Sequence, residues 1–183
     1  MKVTFVTGNP VKLHGARQAA NMYDIEVDQA DLDIIEIQSH EAEKIAQHKA
    51  EQAFSELQRP LFVSDDSWII PGLRGFPGPY MRYTNEWLTP EDWLRLTTSL
   101  KDRKIILRQV VVYMTGDVQK TFSRDIEGEL LSDIRGSSPY SHITLTSFDG
   151  GKRSGAEYIA AGDSYLGDRQ TAWHDFFAWL AGD

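Results

Sequence analysis

The sequence predicts an α/β protein, a mixed sheet flanked by helices, forming one domain over residues 1–183 with two lobes around a central cleft. Three observations carry that expectation. Helix-like and strand-like segments alternate through the first hundred residues, and a strand-rich stretch follows them. With 41% apolar residues in a chain of 183, there is material for a real core.

The elements follow in order. "KVTFV" reads as a buried strand, and Pro10 stands near a helix start, where its missing N–H costs little. "VKLHGARQAANMY" supplies the first helix. "IEVDQADLDIIEIQ" alternates like β material and ends near Glu36. "HEAEKIAQHKAEQAFSEL" is the clearest helix, and "PLFV" is a short strand stopped by Ser64-Asp65-Asp66-Ser67. A proline- and glycine-rich loop, "PGLRGFPGPY", comes next. "TPEDWLRLTTSL" carries a threonine cap, a proline and first-turn acids, so it starts a helix. "KIILRQVVVYM", "KTFSRDIEGEL" and "SHITLTSF" read as three antiparallel strands. In "TAWHDFFAWL", Trp173, Phe176, Phe177 and Leu180 recur at i, i+3, i+4 and i+7, the stripe of a packed helix.

Composition narrows the function. The chain has no cysteine, which excludes disulfides and thiolate metal sites. A net charge of −8 argues against a nonspecific grip on nucleic acid, yet a polyphosphate needs only a few cations in one place. No apolar run approaches a membrane span, and the short strand after Met-Lys is too brief for a secretory signal. The expected location is the cytoplasm. The five histidines lack zinc spacing.

Three stretches could carry chemistry. "FVTGNPVKL" sends a strand into a helix through Thr7, Gly8 and Asn9, with Lys12 one turn inside. It fits an anion cradle, and equally a tight turn capped by Asn9. In the helix around residue 49, with Ile45 at 0°, Ala42, Ala46, Ala53 and Leu57 fall between about 60° and 120°, and Lys49 at about 40°. A lysine in an apolar stripe must snorkel, pair with an acid such as Glu56, or meet an anion. "VSDDSW" places Asp65 and Asp66 side by side, material for Mg²⁺ or for an Asx turn or cap. Trp68 follows that pair directly.

In this order the stretches resemble the inosine triphosphate pyrophosphatase family, enzymes that hydrolyse non-standard purine nucleoside triphosphates. "FVTGNPVKL" is similar to its Thr-Gly-Asn…Lys motif, and "DIIEIQSHEAEKIAQHKAEQA" to its glutamate followed by a lysine-bearing helix. "VSDDSW" with "GFPGPYMRY" is similar to its aspartate pair and Gly-Gly-x-Pro-Gly-x-Tyr loop. The likeness covers roughly residues 1 to 90. It implies a nucleoside triphosphate substrate held by Thr7, Gly8, Asn9, Lys12, Lys49 and Ser67, with Arg82 where some relatives carry lysine. Glu36, Asp65 and Asp66 would surround Mg²⁺, with Asp66 accepting a proton or orienting the water. Water would attack the α-phosphorus, giving a nucleoside monophosphate and pyrophosphate, and a homodimer is implied.

The second half departs from that pattern. "SSPYSHITL" replaces the family's Phe-Gly-Tyr-Asp-Pro-type segment, leaving Tyr140 as the candidate ring for the base. "GDSYLGDRQ" keeps only Arg169 of the Ser-His-Arg motif, with Asp168 at the histidine and Asp163 at the usual lysine. Base preference is therefore expected to differ. The alternative reading is a nucleotide-binding regulatory homologue with weakened turnover. Both readings require two lysine amines to face clustered acids.

Overall fold

The structure, a computed structural model, describes residues 1–166 and 169–182. Its strands are β1 (Lys2–Val6), β2 (Glu26–Ala30), β3 (Leu61–Ile69), β4 (Pro77–Gly78), β5 (Lys104–Met114), β6 (Gln119–Leu130) and β7 (Thr146–Ser147). The helices are α1 (Pro10–Asn21), α2 (Ala42–Leu57), α3 (Met81–Trp87), α4 (Pro90–Thr97), α5 (Gly155–Ala160) and α6 (Ala172–Ala181). The strand order is β2-β1-β3-β5-β6-β7, with β4 beside β3. β1 is parallel to both β2 and β3, whereas β3–β4 and β6–β7 are antiparallel, so the sheet is mixed as expected.

The chain divides into two compact units. The first comprises Met1–Asp66, Gln109–Arg124 and Gln170–Asp183; the second comprises Ser67–Arg108 and Asp125–Arg169. The first unit is a two-sided layer. Strand side chains alternate, so Phe5 and Phe62 face one side, where they meet Leu13, Ala16 and Ala20 of α1 and Trp173, Phe176 and Phe177 of α6. Val6, Leu61 and Val63 face the other side, against Ala42, Ala46, Ala50 and Ala53 of α2. The alanine stripe lets α2 lie close, and the aromatic stripe of α6 is the one its sequence period foretold.

Three expectations are corrected. The alternation after Ala30 does not extend to Glu36 as a strand, because β2 pairs with β1, which runs out at the Val6–Ala30 pair. β3 does not stop at Ser64 but continues to Ile69, where Trp68 and Ile69 pair with Gly78 and Pro77. Of "SHITLTSF", only Thr146–Ser147 pairs with β6; Ser141–Thr144 is a 3₁₀ turn, in which Thr144 Oγ1 donates to the Ser141 carbonyl at 2.7 Å. Helices α3 and α5 lie in segments to which the sequence assigned no element. Among the described residues no helix is long and apolar enough to cross a membrane.

Candidate functional site

The turn after β1 settles what Thr7, Gly8 and Asn9 do in the folded chain. Asn9 Oδ1 accepts from the amides of Val11 (2.9 Å) and Lys12 (3.2 Å), and Thr7 Oγ1 accepts from Asn9 N (3.1 Å). Two donors at the start of α1 are thus satisfied from within, as a cap requires. Gly8 has a neighbour the sequence hid. A Cβ there would lie 2.8 Å from Asp31 Oδ1, so the Asp31 carboxylate occupies the space a side chain would take.

Past its pairing with β1, β3 continues and carries the aspartates. Odd residues of β3 follow Leu61 and Val63 to the α2 side, and even residues follow Phe62 to the α1 side. Each aspartate then meets the lysine of its own helix. Lys12 Nζ of α1 stands 3.3 Å from Asp66 Oδ2, and Lys49 Nζ of α2 stands 3.7 Å from Asp65 Oδ1. Lys49 also donates to Glu36 Oε1 at 2.7 Å. The lysine stranded in the apolar stripe is therefore paired with Glu36 and Asp65.

These groups sit where water is scarce, and their acidities record it. The Lys49 and Asp65 side chains are only 15% and 12% exposed. Burial pushes the Asp65 carboxyl up to about 6, against the pull of Lys12 and Lys49 and with help from Asp66 and Glu36. Burial opposes the charge on Lys12, but Asp66, Asp65 and Glu36 outweigh it and hold its pKa above the ordinary lysine value. Asp65 Oδ2, Asp66 Oδ1 and the hydroxyls of Ser64 and Ser67 are buried without hydrogen-bond partners among the described residues.

Such orphaned oxygens are hard donors of the kind Mg²⁺ takes, and that ion needs only one or two carboxylates when phosphates and water complete its shell. The residues fit that requirement. Among the described residues no three histidine, aspartate or glutamate side chains converge to hold a metal alone. Of the expected trio, Glu36 and Asp65 share Lys49, and Asp66 meets Lys12.

The second unit holds the remaining predicted residues. Ser67 is buried, while Arg82 projects from α3 with 74% of its side chain exposed and Glu86 beside it at 3.6 Å. Tyr140 is half-buried before the 3₁₀ turn, and Arg169 Nε donates to the Phe148 carbonyl at 2.9 Å. Asp163 stands 3.5 Å from Arg153, and Asp168 lies outside the described residues. Sequence reasoning passed over His142, a buried imidazole whose Nδ1 lies 2.9 Å from Asn85 Oδ1 and whose ring meets Trp68 edge-on at 4.5 Å. Burial drives its pKa down to about 3, so it is neutral and must donate from Nδ1 to the amide oxygen. No spacing signal could have marked it, because its partners come from α3 and β3.

Comparison with known proteins gives a consistent result. The profile of the Ham1 family matches residues 3–177. The chain is 33% identical over 180 residues to a dITP/XTP pyrophosphatase of Methanopyrus kandleri, covering 98% of this chain and 96% of the relative. It is 28% identical to one of Thermococcus kodakarensis, covering 98% and 97%. In fold it is similar to a HAM1 protein from Coxiella burnetii, with a TM-score of 0.78, 18% identity and full coverage of both chains. The Staphylococcus aureus Ham1 protein gives 0.77 and 21%, covering 100% and 99%.

Proposed function

Because the chain belongs to the Ham1 family, we propose that it hydrolyses non-standard purine nucleoside triphosphates to the monophosphate and pyrophosphate. It uses Mg²⁺, works in the cytoplasm, and pairs with a second copy of itself. The observation that carries the chemistry is the alternation of amines and acids in the first unit. Lys12 and Lys49 are sparsely hydrated and, among the described residues, paired with carboxylates, so a triphosphate can draw them over without disturbing a core.

The reaction needs an attacking water, a proton acceptor and charge neutralisation at the leaving group. Water adds to the α-phosphorus, the bond to the bridging α–β oxygen breaks, and pyrophosphate departs. What supports Asp65 as the acceptor is its buried Oδ2, which meets no partner among the described residues and can take a water's proton while Oδ1 faces Lys49. The sequence reading gave that role to Asp66; what supports Asp66 in another role, fixing the Lys12 amine, is their 3.3 Å contact. Asp65 and Glu36 would hold Mg²⁺, which when bound offsets charge on the leaving pyrophosphate. Thr7 and Asn9 hold the first turn of α1 so that Lys12 projects from a fixed position.

The test is pyrophosphate release from a panel of inosine, xanthosine and ordinary nucleoside triphosphates, with Mg²⁺ and with chelator. Turnover of the 6-oxopurine nucleotides, abolished by chelator, is the expected result. A nucleotide that raises the melting temperature yet is never cleaved would replace this reading with that of a binding homologue.

A further inference from the structure

Glu36 lies between β2 and α2, outside any strand or helix. Leu32 and Ile34 of the same segment pack against the alanine face of α2, whereas Ile35 is 76% exposed. Glu36 accepts from Lys49 Nζ at 2.7 Å, but its side chain is 42% exposed, and a solvated ion pair fixes a segment only loosely. In the reaction proposed above that pair must also loosen, since phosphate draws the amine away and Mg²⁺ takes the carboxylate.

One residue before Glu36, a second tie joins the segment to the same helix. Gln52 Nε2 donates to the Ile35 carbonyl at 2.7 Å and meets His48 Nδ1 at 2.8 Å. Gln52 is three residues from Lys49 and four from His48, so the three side chains are neighbours on the surface of α2. The partners fix how the amide lies. A carbonyl only accepts, so it requires the amide nitrogen. That nitrogen only donates, so His48 Nδ1 must accept. One amide hydrogen is thus engaged on the segment and the other on the helix that Gln52 comes from. An inverted amide would set its oxygen against the Ile35 carbonyl.

We propose that Gln52, held by His48, is a positioning residue for Glu36. It keeps the Ile35–Glu36 peptide on α2, so that the carboxylate stays available to Mg²⁺ when Lys49 turns to phosphate. The tie is neutral and grips the backbone, so it survives an exchange of charges at the side chain one residue on. Stability alone does not explain its place, because Leu32 and Ile34 already pack the segment onto that core. The inference rests on the Mg²⁺ reading above and extends it to a residue that touches neither metal nor nucleotide.

Titration calorimetry of the full chain with Mg²⁺ alone tests it, using Gln52→Leu, Glu36→Gln and the double variant. Gln52→Leu keeps the bulk and removes the donor. It should weaken Mg²⁺ binding about tenfold, the effect expected of a group that orients a metal ligand, and leave the melting temperature within a few degrees of the wild type. Glu36→Gln should weaken binding at least as much. The double variant should bind no more weakly than Glu36→Gln, because a group acting only through Glu36 then has nothing to position. The Mg²⁺ concentration for half-maximal pyrophosphate release should shift by the same factors. Losses that multiply in the double variant overturn the proposal, as does a Gln52→Leu protein that binds Mg²⁺ like the wild type. A wild type that neither binds nor needs Mg²⁺ overturns the metal reading, and this role with it, before any variant is compared.

Discussion

Asp65 and Asp66 are joined by one peptide bond, yet Asp65 meets a lysine from α2 and Asp66 meets one from α1. The α2 side holds an amine shared by two acids, with the Asp65 carboxyl raised to about 6 by burial. The α1 side holds a simple pair, Lys12 with Asp66, beside a large aromatic core. A strand's two-residue period imposes the division: identical side chains in adjacent positions are handed to different helices. The lesson is that an aspartate doublet in a strand reaches two helices at once while staying within one electrostatic cluster, since Lys12 acts on Asp65, and Asp65 and Glu36 act on Lys12.

The largest expected effect tests whether the two acids differ in function. Asp65→Asn should lower the turnover rate by about 10²–10³-fold, and Asp66→Asn by roughly tenfold, with the loss for Asp66 appearing mainly in KM. Thermal melting at pH 8 should separate them further. A carboxyl whose pKa is raised by folding is charged at a cost above that pKa, so Asp65→Asn should melt a few degrees higher while turning over more slowly. Equal rate losses for the two variants would erase the distinction between the faces.

A smaller effect is a proton count. Near pH 6 the free protein holds a proton on Asp65 for about half the time, so adding Mg²⁺ should release about half a proton per chain. At pH 8 the carboxyl is already ionised and the release should vanish. Calorimetry in buffers of different ionisation enthalpy reads both values. A release unchanged by pH, or unchanged in Asp65→Asn, would remove Asp65 from the metal's shell.

The smallest effect compares the helical layers of the first unit. Helix α6, on the α1 side, begins with Thr171, whose amide and hydroxyl meet His174 Nδ1 at 3.1 and 2.8 Å. Burial lowers the His174 pKa below the ordinary value. The imidazole therefore stays neutral in the folded chain while the unfolded chain takes up a proton, and stability falls as pH drops below about 6.5. His174→Gln, which keeps an acceptor, should cost about 1 kcal/mol at pH 8 and flatten the fall between pH 6.5 and 5. Helix α2 has no such side-chain cap at Glu41, so no cap titrates at its start.

Much of the fold was legible because short-range physics decided it. The alanine stripe of α2 and the aromatic stripe of α6 announced buried faces, and Thr89 with Asp92 makes the capping box its spacing promised. What misled was context. Ser-Asp-Asp-Ser reads as a turn by composition, yet β3 runs through it because lysines from two helices offset the acids. The alternation around Ile34 and Glu36 reads as a strand, yet no backbone is left beside it to pair with. Likewise Lys49 was conspicuous in its stripe, but Glu36 and Asp65, rather than Glu56, turned out to be its partners.

The sequence by itself determined the kinds of layer in this protein and the residue types available for its chemistry, since periodicity, caps and rare lysines on apolar faces are properties of neighbouring residues. Only the tertiary structure decided which acid each amine meets, that the Asp31 carboxylate lies over Gly8, and which face of α3 is left bare. Those outcomes depend on strand parity and on contacts between segments distant along the chain, and no local pattern encodes the distance between them.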